Sequence, residues 1–180
     1  MAQHIVLSNL GESAVSAEEF KGAFRRHAAG VAIISGDDGS GPVSITVSSV
    51  FSVSAEPPAL VFSLSSTASA TPHLLKAGRV VVHLLTPNNL ALAKLAAAHG
   101  ADRFGADVSW HRLPSGEPVY SDVECWLRGD IVEEIQVGGS TLVVVHVLEV
   151  RVPGSETPND ALLYHDRTWA RLSAESYITD

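Results

Sequence analysis

The chain has 180 residues, 46% of them hydrophobic and 18% charged, and a formal net charge of −8. That is enough length for one domain with a full apolar core, and too apolar a composition for a disordered chain. An acidic surface without a Lys/Arg cluster speaks against nucleic acid as a partner, while a small anionic cofactor stays compatible because local dipoles decide at a single pocket.

The first element is a helix starting at Ser16. Ser16 and Glu19 stand in the S-x-x-E spacing of a capping box, and Val15 and Phe20 occupy the positions of a hydrophobic staple. Phe20, Ala23, Phe24 and His27 share one face, and Gly30 is placed to end the helix. The pattern then turns to strands. Val31 to Ile34 is short and apolar, Gly36-Asp-Asp-Gly39 is turn chemistry, and Val43 to Val53 is β-branched and Ser-rich. Glu56-Pro57-Pro58 breaks that run, and Ala59 to Leu64 follows as a strand. Thr71-Pro72 and Thr86-Pro87 each place a hydroxyl before a first-turn proline, predicting two short helices that stop at Gly78 and near Gly100, with a buried strand from Val80 to Leu85 between them.

The remainder reads as strand. Val123, Cys125 and Leu127 alternate with Glu124, Trp126 and Arg128, giving one dry and one mixed face. Leu142, Val144, His146, Leu148, Val150 and Val152 share one period-two set after a hairpin tip at Gly138-Gly139, and a last strand is predicted from Leu162 to Leu172. Strands joined by turns, with helices only at the start and in one insertion, predict a mainly β antiparallel barrel or sandwich with flanking helices. The domain reading is an N-terminal extension over 1–15 and a single domain over 16–180. No G-x-G-x-x-G opens a helix and no G-x-S-x-G elbow occurs, which argues against a Rossmann site and a serine hydrolase. Apolar runs fall far short of the roughly 20 residues that span a bilayer, and no basic patch with an apolar stretch opens the chain, so the expectation is a cytoplasmic protein without a membrane partner. Cys125 is the only cysteine, so no intrachain disulfide forms, and it reads as buried packing. His73, His83, His99 and His111 lack paired ligand spacing, so no metal site is expected.

The chemistry concentrates in Ile45 to Ser54 and Leu60 to Leu64. Thr46, Ser48 and Ser49 bring short hydroxyls and free amides without charge. Such a mixture suits a flavin, whose ring edge, ribityl chain and phosphate all need neutral donors. It equally suits an edge strand decorated with turn-forming Ser and Thr.

The ordered pieces Phe24-Arg25, Ala29 to Ile34, Thr46 to Ser49, Ser52-Val-Ser54, Glu56-Pro-Pro58, Gly78 to Val82, Asp102-Arg-Phe104, Leu163-Tyr164 and Trp169 to Leu172 resemble the flavin reductase family. These are small partners of two-component flavin monooxygenases with an FMN-binding split-barrel fold. The resemblance implies that Thr46, Val47, Ser48 and Ser49 line the flavin. It implies further that Ser63 and the segment holding Ser65, Ser69 and Thr71 close round the ribityl chain and phosphate, and that Arg103 and Phe104 reach the pocket rim. Arg103 also reads as a solvated loop cation. Trp169 either covers a ring or packs, and Ser140 with Trp169 marks the nicotinamide side.

One departure stands out. Where the family carries Gly-Asp-His on the hairpin, associated with the nicotinamide side, this chain has Gly138-Gly139-Ser140. His146 points with Val144 and Leu148 and reads as a core or interface histidine. The implied activity is an NAD(P)H:flavin oxidoreductase using FMN or FAD, with NADH or NADPH as substrate, forming a homodimer and supplying reduced flavin to a monooxygenase. The missing pair favours an alternative, a flavin-binding protein that does not use nicotinamide. Because the cofactor carries the redox chemistry, no catalytic residue is singled out.

Overall fold

Apolar runs dense in Val and Ile, too short for stable helices, make strands here, and turn residues between them set the order. The computed structural model describes residues 3–5, 15–154 and 160–178. The first half contains β1 (Gln3–Ile5), α1 (Ala17–Phe24), β2 (Ala29–Gly30), β3 (Ala32–Asp37), β4 (Pro42–Val47), β5 (Phe51–Ala55), β6 (Pro58–Ser65), α2 (Thr71–Ala77) and β7 (Arg79–Leu84). The second contains α3 (Leu90–Ala97), β8 (Trp110–Arg112), β9 (Pro118–Tyr120), β10 (Cys125–Val137), β11 (Ser140–Arg151), β12 (Ala161–His165) and β13 (Thr168–Leu172).

The main sheet runs β4-β3-β7-β10-β11-β6-β5, with β1 added parallel to the end of β10. Its two outermost strands, β4 and β5, are consecutive in sequence and joined by Ser48, Ser49 and Val50. The sheet therefore closes on itself through a covalent corner, as the split-barrel expectation requires. Two bulges bend β10, between Arg128 and Gly129 and between Ile131 and Glu133. Gly129 is needed at the first, since a Cβ there would lie 2.3 Å from the His146 carbonyl oxygen. Smaller sheets pack outside: β13-β12-β2 and the β8-β9 ribbon.

Ile34, Phe62, Leu64, Leu74, Val80, Val82, Val143 and Val145 fill the barrel. A second core lies on the other side of β3, where Ile33, Leu85, Tyr120, Val123 and Leu162 meet Ala93 and Ala96 of α3. Strands β3 and β7 are thus dry on both faces, which explains their unbroken apolar reading. A buried polar network stitches the β8-β9 ribbon to the barrel. His83 is fully buried; Tyr120 N–H donates to its Nε2 (3.2 Å), so Nδ1 carries the proton toward Ile33 O at 3.1 Å. Tyr120 Oη lies 2.7 Å from Ser44 Oγ, and Ser35 Oγ donates to Pro118 O at 2.6 Å. Desolvation lowers the His83 pKa to about 4 and raises that of Tyr120 to about 12.

Several sequence expectations change. The Ser16–Glu19 capping box forms, but α1 ends at Phe24, because Arg26 and His27 bond three residues back and Gly30 pairs with Leu163 in β2. Thr71 is the first residue of α2 and donates its hydroxyl to Ser65 O at 2.7 Å, so it is no cap. At Thr86 the roles are reversed, with the Asn89 carboxamide oxygen accepting from the Thr86 amide and hydroxyl over a 3-10 turn. Gly78 does end α2, at φ +70. Helix α3 ends at Ala97, three residues short of Gly100. The Val43 to Val53 run breaks at the corner into β4 and β5, and the expected last strand is a hairpin, β12 and β13, turning at Asp166-Arg167. Trp126 lies on the expected mixed face, yet it is buried against Val81 and Val119. On β11 the core-facing set is Thr141, Val143, Val145 and Val147; the Leu142 to Val152 set, His146 included, faces outward. Most of the 1–15 extension lies outside the described residues, and its Gln3–Ile5 is a strand. No helix among the described residues is long and apolar enough to cross a membrane.

Candidate functional site

The corner between β4 and β5 places the Thr46 to Ser49 segment at the barrel seam. Each of its residues has a distinct task. Thr46 Oγ1 donates to Ala93 O at 2.7 Å, tying α3 onto β4. Val47 packs into the barrel core. Ser49 clamps the seam: its Oγ accepts from Ser63 N–H at 3.0 Å and donates to Ser63 O at 3.2 Å. Ser48 is exposed, and its hydroxyl has no partner among the described residues. Within the Thr46 to Ser49 segment, Ser48 is therefore the hydroxyl left free for a ligand.

Two clefts meet at Ser48 and Tyr164. The smaller, about 190 Å³, is lined by Thr46, Val47, Ser48, Ala97, Tyr164 and Trp169. Trp169 packs edge-on against Tyr164, with ring centroids 5.1 Å apart. The larger, about 720 Å³, runs from Ser48 and Ser49 between α1 and the β12-β13 tip, past Phe24, Arg25, Tyr164 and Arg167. Its wall includes the exposed rings of Phe20 and Phe24, whose centroids are 4.7 Å apart. Arg25 Nε is buried and has no hydrogen-bond partner among the described residues. A buried, unsatisfied guanidinium nitrogen costs free energy unless an anion meets it. The cleft thus fits a ligand that joins an aromatic ring to a negative group.

The other expected residues fall elsewhere. Ser65, Ser69, Thr71 and Ser140 gather at the far end of β6 and β11, lining neither cleft. There Ser65 faces Ser140 across the sheet, its hydroxyl lies 2.9 Å from Thr67 Oγ1, and Ser66 N–H donates to Gly139 O at 2.9 Å. Arg103 and Phe104 belong to a separate cleft with Asp102 and Trp110. Arg103 Nε donates to Ala96 O (3.0 Å) and Nη2 to Ala98 O (2.8 Å), closing the end of α3. Phe104 stacks on Tyr120 at 5.1 Å. Neither reaches the rim of the Ser48 clefts, because the helix end and the second core hold both. Cys125 is half-buried, and burial raises its thiol pKa.

Tyr164, Arg25 and Arg167 are lining residues to which the sequence assigned no site role. Arg25 sits in a piece read as the helix, whereas Arg167 sits in a stretch read as continuous strand. Asp166-Arg167 between Tyr164 and Trp169 carries the available signal, a two-residue break in an apolar alternation led by an Asp that tolerates left-handed backbone.

Comparisons with known proteins bear on the fold and the family. An NADH:FMN oxidoreductase of Rhodococcus erythropolis is 36% identical over 158 residues, covering 87% of this chain and 82% of the relative. The crystal structure of a flavin reductase domain protein from Arthrobacter sp. FB24 superposes with a TM-score of 0.81 at 34% identity, covering 90% of this chain and 99% of that one. The styrene monooxygenase flavin reductase of Pseudomonas putida S12 shares the fold, with a TM-score of 0.75 at 22% identity over 85% of this chain and 96% of that one. Residues 24–173 match the family described as flavin reductase like domain, and the chain belongs to that family.

Proposed function

We propose that this protein is an NADH:flavin oxidoreductase that takes FMN or FAD into the paired clefts and releases reduced flavin to a flavin-dependent monooxygenase. The observation that carries the reading is that the free Ser48 hydroxyl, the Tyr164–Trp169 ring pair and the unpartnered Arg25 Nε line two clefts that meet at Ser48 and Tyr164. Flavin, when bound, supplies the redox chemistry by accepting a hydride from the nicotinamide. The chain's own residues bind and orient. Ser48 offers a hydroxyl to the ring edge or ribityl chain, the edge-on Tyr164–Trp169 pair gives an aromatic corner for a ring to pack against, and Arg25 provides a cation in partly dry surroundings. The relative's name favours NADH over a carrier that ignores nicotinamide.

A homodimer accompanies this reading. Strand β11 runs past the end of β6, which pairs only as far as His146, and leaves Leu148 and Val150 exposed; Phe51 and Val53 of β5 are exposed as well. Two-fold pairing is the commonest way to cover such a face. A reductase fed by NADH also suits the cytoplasm. Light scattering checks the dimer, and a monomer mass at all concentrations overturns it. Mixing the protein with NADH and FMN and following nicotinamide absorbance checks the activity; the expected result is steady oxidation that depends on added flavin, and none would overturn the reading.

A further inference from the structure

Helix α3 reaches the smaller cleft through its last residue, Ala97, which lines it with Ser48, Tyr164 and Trp169. A helix leaves its last carbonyls without intrahelical partners, so the last turn is the part most free to fray or tilt. Here one guanidinium takes the carbonyls on either side of Ala97. Arg103 Nε donates to Ala96 O at 3.0 Å and Nη2 to Ala98 O at 2.8 Å. One turn earlier, Thr46 Oγ1 donates to Ala93 O at 2.7 Å and fixes the helix to β4, whose Thr46 and Val47 are also on the lining. Ala97 is thus held from both directions, and with it the wall it contributes.

The loop that delivers the guanidinium is fixed in turn. Asp102 Oδ1 accepts from Phe104 N–H at 3.2 Å, and Gly105 lies so close that a Cβ there would be 2.7 Å from Asp102 Oδ2. Trp110 Nε1 donates to Phe104 O at 2.9 Å, and Phe104 stacks on Tyr120. Tyr120 Oη donates to Arg103 O at 3.1 Å, which leaves Ser44 Oγ as the donor to the phenol. A planar fork on such a loop gives up little freedom in binding two carbonyls. A cation at a helix C-terminus also offsets the helix dipole, and a lysine there would do the same. The dipole accounts for the charge, but not for a fork that straddles the one α3 residue on the cleft. We infer that Arg103 is a positioning residue for flavin: it lines neither Ser48 cleft, yet it sets where Ala97 stands and so the width of the slot bounded by Ala97, Tyr164 and Trp169. The inference rests on the reading of the paired clefts as the flavin site and adds how one wall of that site is held.

The test uses the full chain with Arg103→Ala, Arg103→Lys and Ala97→Leu. Lysine keeps the charge that meets the helix dipole but lacks the fork. FMN is titrated by fluorescence quenching, which reads a dissociation constant and, from the amplitude, the fraction of competent sites. The expected dissociation constant is raised about fivefold to tenfold in Arg103→Ala and by an intermediate factor in Arg103→Lys, at the parent's amplitude. Ala97→Leu, which narrows the slot directly, should weaken FMN at least as much as Arg103→Ala. A cap that only supports the fold would lower the amplitude at an unchanged dissociation constant, and that result overturns the proposal. Lysine matching the parent while alanine weakens binding returns the role to the dipole and overturns it too, as does parent-like binding by Ala97→Leu. Should Arg103→Ala fail to fold, Arg103→Lys and Ala97→Leu decide. NADH oxidation is followed separately. A parent that binds FMN without oxidising NADH fails the proposed activity and leaves this test standing, whereas a parent that does not quench FMN fails both.

Discussion

Two polar regions of this molecule stand in opposite conditions. Around His83 and Tyr120, imidazole, phenol and hydroxyl groups are buried and matched: the His83 ring bridges Ile33 O and Tyr120 N–H, and the phenol meets Ser44. Along the cleft between α1 and the β12-β13 tip, Ser48, Arg25 and Arg167 have side-chain donors with no partner among the described residues. A satisfied network holds β8-β9 against the barrel and leaves nothing over for a ligand. The unsatisfied set contributes little to the fold and retains its bonding capacity. Hydroxyl-rich sequence looks the same in both regions; what separates them is where each hydrogen bond ends.

The sharpest way to break the contrast is His83→Leu. It leaves the Tyr120 amide without its buried acceptor, so denaturant unfolding should show a loss of about 1–3 kcal/mol. A loss under about 0.5 kcal/mol would mean that the network is not holding the ribbon. Acid should act through the same ring. The folded His83 pKa of about 4 lies below the unfolded value of 6.5, so the unfolded chain binds the extra proton first. Stability therefore falls as pH drops from 6.5 toward 4, by up to about 3 kcal/mol, and the slope disappears in His83→Leu. An unchanged slope in that variant would place the acid sensitivity elsewhere.

Smaller effects separate the two neighbouring serines. Ser49→Ala removes the clamp on Ser63 and should cost about 1 kcal/mol of stability. Ser48→Ala should leave unfolding unchanged and weaken flavin binding several-fold, about 1 kcal/mol, in a fluorescence titration. The reverse pattern would exchange the roles given to them. Smallest of all is Ser140→Ala. Ser140 sits with Ser65 away from both clefts, so kcat/KM for NADH should change by less than about twofold. Abolished turnover would return the Gly138-Gly139-Ser140 hairpin to the nicotinamide side.

How far the sequence carries these distinctions depends on the range of the interaction. The Ser16–Glu19 box is legible because both partners lie within one turn, and Gly78 because a helix stop is a local event. The end of α1 is not, because β2 takes over at Ala29 only by pairing with Tyr164, far along the chain. Strand β11 defeats its own pattern: Val143, Val145 and Val147 alternate with Leu142, Val144 and Leu148, so both faces are apolar and periodicity cannot choose the inner one. The same holds at the site. The Thr46 to Ser49 segment is recognisable as a stretch, but which hydroxyl is free rests on contacts with Ala93 and Ser63. Arg103 looks like a pocket cation until its carbonyl partners on α3 are visible.

Strand β12 has a consequence for how the molecule comes into being. Its Leu162 amide donates to Leu85 O, its carbonyl accepts from Val31 N–H, and its neighbours pair with β2. During vectorial synthesis the seven-strand path through β11 is available before this hairpin leaves the ribosome. Tyr164, Arg167 and Trp169 therefore join the cleft last, onto a barrel whose sheet is already laid down. A nascent chain stalled short of the hairpin would hold the Ser48 corner but only one side of the pocket.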